Sequence, residues 1–464
     1  MKKILVFLTI FFISVQIYSQ HKLTPEMLWK FGRVSDAKLS PDGKTILYGV
    51  TYYNLTENKG KRDLYTISVD GGSPVRITNL NGSSVNGIWR PDGKKIGFLC
   101  SESGSMQIWE MNPDGNNKKQ ISNIEGGING FSYSPDMTHI LYIADVKLDS
   151  TANDIYPDLP KANARIIDNL MYRHWDAWSD FTYSHIFVMP YSDGVIGNAA
   201  DIMLNEKFDS PVKPDGGMEQ INWSPDGKQI AYTCKKLFGK EYAVSTNTDI
   251  YIYNLETKIT YDLSEGMQGY DFNAVFSPDG KKIVWESMKT PGFESDKRRI
   301  MLYDFDSKQF TDLSTDFGES GTNFVWSSDN KTIFFISGIK ATYQIFSVDA
   351  ETKKIRQITN GVHDYTGLEV ENGVIVGTRM SMLMPTEIFK IDESSGNETQ
   401  VTFTNKDILS SFESAKVEER WVKTTDDKQM LVWVIYPPFF DSNKKYCLII
   451  RTPYKVCSAF SEIC

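Results

Sequence analysis

Nine consecutive residues gather polar and aromatic chemistry in one place: Tyr172-Arg173-His174-Trp175-Asp176-Ala177-Trp178-Ser179-Asp180. A carboxylate at Asp176 or Asp180 can pair with a ligand ammonium, and an indole at Trp175 or Trp178 can stack beneath the same cation. With the donors of Arg173 and His174 added, the candidate binding residues are Arg173, His174, Trp175, Asp176 and Asp180. A packing role is equally open, in which the segment covers the edge of a neighbouring sheet and Arg173 pairs with Asp176. His174 and His185 are two of only five histidines, and no H-E-x-x-H spacing is present, so no metal is expected. Neither G-x-G-x-x-G nor G-x-x-x-x-G-K-[ST] occurs, so no nucleotide cofactor is implied.

The segment interrupts a repeat. One turn recurs as Ser40-Pro41-Asp42-Gly43-Lys44, Arg90-Pro91-Asp92-Gly93-Lys94, Ser134-Pro135-Asp136-Met137, Ser224-Pro225-Asp226-Gly227-Lys228, Ser277-Pro278-Asp279-Gly280-Lys281 and Ser327-Ser328-Asp329-Asn330-Lys331. From Asp to Asp the steps are 50, 44, 90, 53 and 50 residues. Pro presets φ at the second position, Asp bonds the backbone ahead, and Gly accepts positive φ, so these aspartates read as scaffold. An aromatic often precedes the turn (Trp89, Trp223, Phe276, Trp326), and a strand such as Gln229-Ile230-Ala231-Tyr232 follows it. A third strand alternates at Asp63–Ile67, Gln107–Trp109, Asp249–Tyr253 and Gln344–Phe346, and a short fourth closes several units at Arg76–Thr78, Lys119–Ser122 and Gln357–Thr359. Four strands per 40 to 50 residues are the mark of a β-propeller blade.

A weak copy at Glu371-Asn372-Gly373 makes seven blades if the 90-residue step is one repeat with an insertion at about 145–185. An eighth blade hidden in that insertion is the alternative. Within the insertion, Ala162 to Met171 spaces its apolar residues as a helix does. Insertions in a repeat scaffold map to loops on one face, often the binding face.

Composition agrees with an all-β protein: aromatics are 13% of the chain, with 33 Gly and 18 Pro to make turns. Lys and Arg total 50 against 59 Asp and Glu, a net charge of −9, which argues against a nucleic-acid partner. Lys2 and Lys3, the apolar run Ile4 to Tyr18 and then Ser19-Gln20 describe a secretory signal peptide over residues 1–20. An exported protein, periplasmic or secreted and without a stable membrane anchor, is therefore expected. Cys100 and Cys234 each stand eight residues after a turn Asp and read as buried free thiols, whereas Cys447, Cys457 and Cys464 crowd the last 18 residues.

After Val401-Thr402 the blade pattern stops. Val417–Val422, a turn at Thr425-Asp426-Asp427-Lys428 and Gln429–Tyr436 read as a hairpin, with Leu448–Ile450 opening a third strand. Repeated S-P-D-G-K blades, Y-R-H-W-D-x-W in the insertion and W-V-K-T-T-D-D-K-Q-M-L-V-W-V-I-Y-P-P together resemble the prolyl oligopeptidase family of serine peptidases, in its dipeptidyl-peptidase and acylaminoacyl-peptidase-like branch. The resemblance spans about residues 21 to 446. It implies a seven-bladed propeller over residues 21–414 that gates and orients a peptide substrate, followed over 415–464 by an incomplete start of an α/β-hydrolase domain. The family's G-x-S-x-G nucleophile elbow is absent from this sequence, so no catalytic residue is carried over and no hydrolysis by the chain alone is expected. The tail from Cys447 departs from the family pattern, from which a reading-frame change or premature stop is expected. A stand-alone propeller that binds proteins or peptides is the second reading, and the strands from Glu418 to Tyr446 count against it.

Overall fold

Each Pro-Asp-Gly turn is closed by its own side chains. In the computed structural model, which describes residues 22–449, Ser40 Oγ donates to Asp42 Oδ1 at 2.6 Å, Lys44 N donates to the same oxygen at 3.1 Å, and Thr45 N donates to Ser40 Oγ at 2.9 Å. These bonds hold the Asp42 carboxyl below its usual range. The pattern repeats at Ser134/Asp136, Ser224/Asp226, Ser277/Asp279 and Ser327/Asp329. In the second copy Arg90 replaces Ser and grips Asp92 through two bonds of 2.8 Å. The fourth turn position is left-handed throughout: φ is 70° at Gly43, 69° at Gly93, 70° at Gly227 and Gly280, 59° at Met137 and 63° at Asn330. Met137 carries a Cβ where glycine would not, at a cost of about 1–2 kcal/mol.

The turns join the first two strands of seven antiparallel sheets, each a meander in chain order. The first sheet is Arg33–Leu39, Thr45–Asn54, Lys59–Ser68 and Val75–Arg76, and the seventh is Asp364–Glu371, Val374–Ser381, Met384–Ile391 and Glu398–Gln400. Six sheets have four strands, and the third gains a short fifth, Val195–Ile196. The first strands of successive sheets neighbour one another, so they line the axis of a ring. Seven hydrophobic clusters fill the spaces between neighbouring blades, including one between the seventh and the first: Val34, Ile46, Tyr48 and Val50 pack with Val376, Ile388 and Val401. The protein is thus a seven-bladed β-propeller, and no eighth blade hides in the insertion. Among the described residues neither the first nor the last blade borrows a strand, so this closure rests on side chains. Lys38 reaches Glu369 at 2.5 Å, Lys390 reaches Asp70 at 2.7 Å, and Asn372 Nδ2 donates to Pro41 O at 2.6 Å.

A hydroxyl near the end of the fourth strand knits most blades internally. Thr78, Ser122, Ser264, Thr359 and Thr402 each accept a backbone N–H of the third strand, from Leu64, Ile108, Ile250, Ile345 and Ile388, at 2.8 to 2.9 Å. Each also donates to the residue before that amide: Asp63, Gln107, Asp249, Gln344 and Glu387. The bonds satisfy backbone groups that the short fourth strands leave without a ladder partner.

Residues 32–404 form one compact unit, and 22–31 with 405–449 belong to a second. In the second unit, helix Pro25–Lys30 is capped by Thr24, and Phe31 meets Phe412 edge-on at 6.4 Å. Strands Lys416–Lys423 and Gln429–Tyr436 pair antiparallel as a two-stranded sheet, with Asp427 at φ 63° in the turn. Two expectations are corrected. Ala162–Met171 contains no helix, because its Ile167 and Leu170 stay exposed and a short helix with no face to bury is marginal in water. Leu448 and Ile449 lie in no strand and are 80% and 90% exposed; Ile450, Cys457, Cys464 and the segment read as a signal peptide lie outside the described residues. Cys100 and Cys234 are buried free thiols.

Candidate functional site

The insertion leaves the third blade after His139–Lys147 and returns at Thr182–Ser192. It joins a second strand to a third, so strand direction places it on the face opposite the Pro-Asp-Gly turns. Its root is held by charge. Asp149 accepts from Tyr183 Oη at 2.6 Å and Lys207 Nζ at 2.5 Å, bonds that outweigh burial and keep its carboxyl below the usual range. Lys213 Nζ lies 3.0 Å from Asp145 and 3.6 Å from Asp209. Burial pushes Asp209 up despite the Ser184 N–H it accepts and the nearby Lys213. A capping box between Thr151 and Asp154 then starts the short helix Ala152–Ile155.

Beyond the root, the chain runs irregularly to a small hairpin of Arg173–His174 and Ala177–Trp178. This hairpin brings four of the five candidate residues together. Trp175 sits at its tip with φ 49° and is 73% exposed. Arg173 Nε donates to Trp175 O at 2.6 Å and braces that conformation. The His174 ring meets Trp175 edge-on at 5.2 Å. Asp176 is exposed and forms no ion pair among the described residues, so the Arg173–Asp176 pair of the packing alternative is not made. The fifth candidate, Asp180, is committed elsewhere: its Oδ1 accepts from Thr182 N at 3.1 Å and Thr182 Oγ1 at 2.7 Å.

Sequence reasoning did not single out Arg165. Its guanidinium lies 5.4 Å from the Trp178 ring centroid and that of Arg173 lies 5.3 Å from the same ring, while Arg165 Nη1 donates to Ser179 O at 2.6 Å. The signal was hidden because Arg165 stood inside the stretch read as a helix. His185 was noted only as one of few histidines. It is fully buried, with Nδ1 2.8 Å from Asp201 Oδ2 and Nε2 2.8 Å from Glu206 O, so both ring nitrogens face acceptors. Burial opposes the charge, yet Asp201 and the Glu206 carbonyl prevail and raise the imidazole pKa.

Against known families, residues 18–180 and 218–434 match the model of the TolB β-propeller domain. The chain belongs to that family. This TolB-type propeller is 44% identical over 428 residues to dipeptidyl-peptidase 5 of Porphyromonas gingivalis and 40% identical to dipeptidyl-peptidase 5 of Porphyromonas endodontalis. Each alignment covers 92% of the chain and 62% of the relative, so the chain spans about three-fifths of these curated relatives. Among solved structures, the acylaminoacyl peptidase of Pyrococcus horikoshii superposes with TM-score 0.68 at 17% identity, over 88% of this chain and 58% of that one. The β-propeller domain of the trilobed protease of Pyrococcus furiosus, described as having an open velcro topology, superposes with TM-score 0.53 at 16% identity, over 81% of this chain and 97% of that one. Those two likenesses are of fold.

Proposed function

We propose that this propeller admits and orients short peptides for an exported serine peptidase that releases dipeptides. The observation that carries the reading is the Arg173–Trp178 hairpin, which presents an exposed indole beside a carboxylate that forms no ion pair among the described residues, on the face opposite the turns. Asp176 takes the peptide's ammonium and Trp175 supplies a surface for its side chains. The identity to proteins named dipeptidyl-peptidase 5 supports the substrate class. The work assigned to the propeller is binding and access, with bond cleavage left to a hydrolase nucleophile and base.

Calorimetric titration of a tetrapeptide with a free N-terminus, and of its N-acetylated form, tests this. The free amine should bind about tenfold more tightly, and Asp176→Asn should erase that difference. Equal binding of the two forms to the unaltered protein would overturn the assignment of Asp176. Chromogenic dipeptide substrates should release no product with this chain alone. Release blocked by a serine-directed phosphonate would refute the division of labour.

A further inference from the structure

Most arginines of the propeller are held by acids. Arg62, Arg76, Arg90, Arg298, Arg356 and Arg379 each have a carboxylate within ion-pair distance. Arg165 and Arg173 have none among the described residues, although the chain carries a net charge of −9 and Asp158, Asp168, Asp176 and Asp180 all lie on the same insertion. Instead both guanidiniums gather at one indole, Trp178, which Tyr172 braces from 6.0 Å. Two like charges at one ring repel, and the ring's quadrupole offsets only part of that cost in water. An anion bound by these guanidiniums offsets the repulsion.

The unused donors define its shape. Arg173 spends Nε on Trp175 O and Arg165 spends Nη1 on Ser179 O, which leaves the two terminal nitrogens of Arg173 without a partner among the described residues, as a planar fork. Such a fork matches the two oxygens of a carboxylate. Both backbone-directed bonds fix the guanidiniums in place, so little side-chain freedom remains to be lost on binding.

We propose that Arg165, Arg173 and Trp178 form a carboxylate receptor on the insertion, and that its ligand is the carboxylate of a bound peptide. The proposal rests on the peptide-binding reading above and adds the opposite end of the ligand to it. The carboxylate comes either from the peptide's free C-terminus or from an acidic side chain.

Three probes separate these sources: tetra-alanine, tetra-alanine amide, and the amide of Ala-Ala-Glu-Ala, each titrated calorimetrically into the protein. Tetra-alanine should bind about tenfold more tightly than its amide. If the glutamate amide binds like the plain amide, the receptor takes the C-terminus; if it recovers the lost affinity, the receptor takes side chains as well. In Arg165→Gln/Arg173→Gln the preference for the acid over the amide should vanish, with far-ultraviolet circular dichroism unchanged. Arg173→Lys, which keeps the charge and loses the fork, should restore only part of the preference. Equal binding of acid and amide to the unaltered protein, or a preference that survives the double substitution, would overturn the receptor and leave the peptide reading standing. Absence of binding by all three peptides would remove that reading and the receptor with it.

Discussion

Replacing Asp249 by Asn should stabilise the propeller in alkaline buffer and weaken it in acid. Asp249 opens the third strand of the fourth blade and is 8% exposed. It accepts from Asn247 Nδ2 at 2.9 Å and Ser264 Oγ at 3.3 Å, and it forms no ion pair among the described residues. Burial first, then the charges of Asp262 and Asp271, push its pKa up to about 7, and burial pushes Asp271 up to about 6. The native state therefore holds a proton that the unfolded chain has released. The associated stability is fully present below the unfolded value of 3.8 and is lost as pH rises through about 7.

About three pKa units at roughly 1.4 kcal/mol each set an upper bound near 4 kcal/mol. Asn retains one acceptor oxygen where Asp has two, which costs about 1 kcal/mol, and the three carboxylates share the benefit of removing one charge. A net gain of about 2 kcal/mol at pH 8 and a loss of about 1 kcal/mol at pH 4 is expected. Thermal unfolding followed at both pH values, at equal ionic strength, reads this as a melting shift that changes sign. An equal shift at both, or a lower melting temperature at pH 8, would refute the reasoning.

The remaining expectations concern the scaffold. Thr359→Val removes the hydroxyl that accepts Ile345 N at 2.9 Å and donates to Gln344 at 2.8 Å, stranding buried groups; chemical denaturation should show a loss of about 2–4 kcal/mol. At the seam between the first and seventh blades, Ile388→Ala should cost about 2–5 kcal/mol. Lys390→Ala, which breaks only the exposed pair with Asp70, should cost under about 1 kcal/mol; the reverse order would show that charge closes the ring. Met137→Gly should raise the melting temperature, a gain of about 1 kcal/mol, because φ is 59° there.

The blades were legible because their signal is local. Pro, Asp and Gly each meet a separate requirement of one turn, so six copies could be counted, and even Glu371-Asn372-Gly373 forms its turn, with φ 49° and 75° at Asn372 and Gly373. Two regularities were present but unread. The acceptor and hydroxyl residues of the blade bridges stand 15 apart in every case, as in Asp63 and Thr78 or Gln344 and Thr359. Asp36, Asn86, Asn273 and Asn323 each stand six residues before a turn Asp and take positive φ at bulges in the innermost strands.

The insertion was legible as a place and only partly as a structure. Periodicity assigned a helix to 162–171, but periodicity reports a face to bury and not the partner that buries it. The neighbourhood of Arg173, Trp175 and Asp176 followed from adjacency in the chain. The position of Arg165 at Trp178 depends on how an irregular loop returns, which spacing does not encode.

The claim on which the account turns is that this hairpin holds peptide. The direct measurement is calorimetric titration of a tetrapeptide into the protein and into a variant whose residues 157–179 are replaced by a short Gly-Ser linker, with unchanged far-ultraviolet circular dichroism confirming that the blades persist. Saturable binding by the first and none by the second is the result the account requires. Equal affinity in both would contradict it.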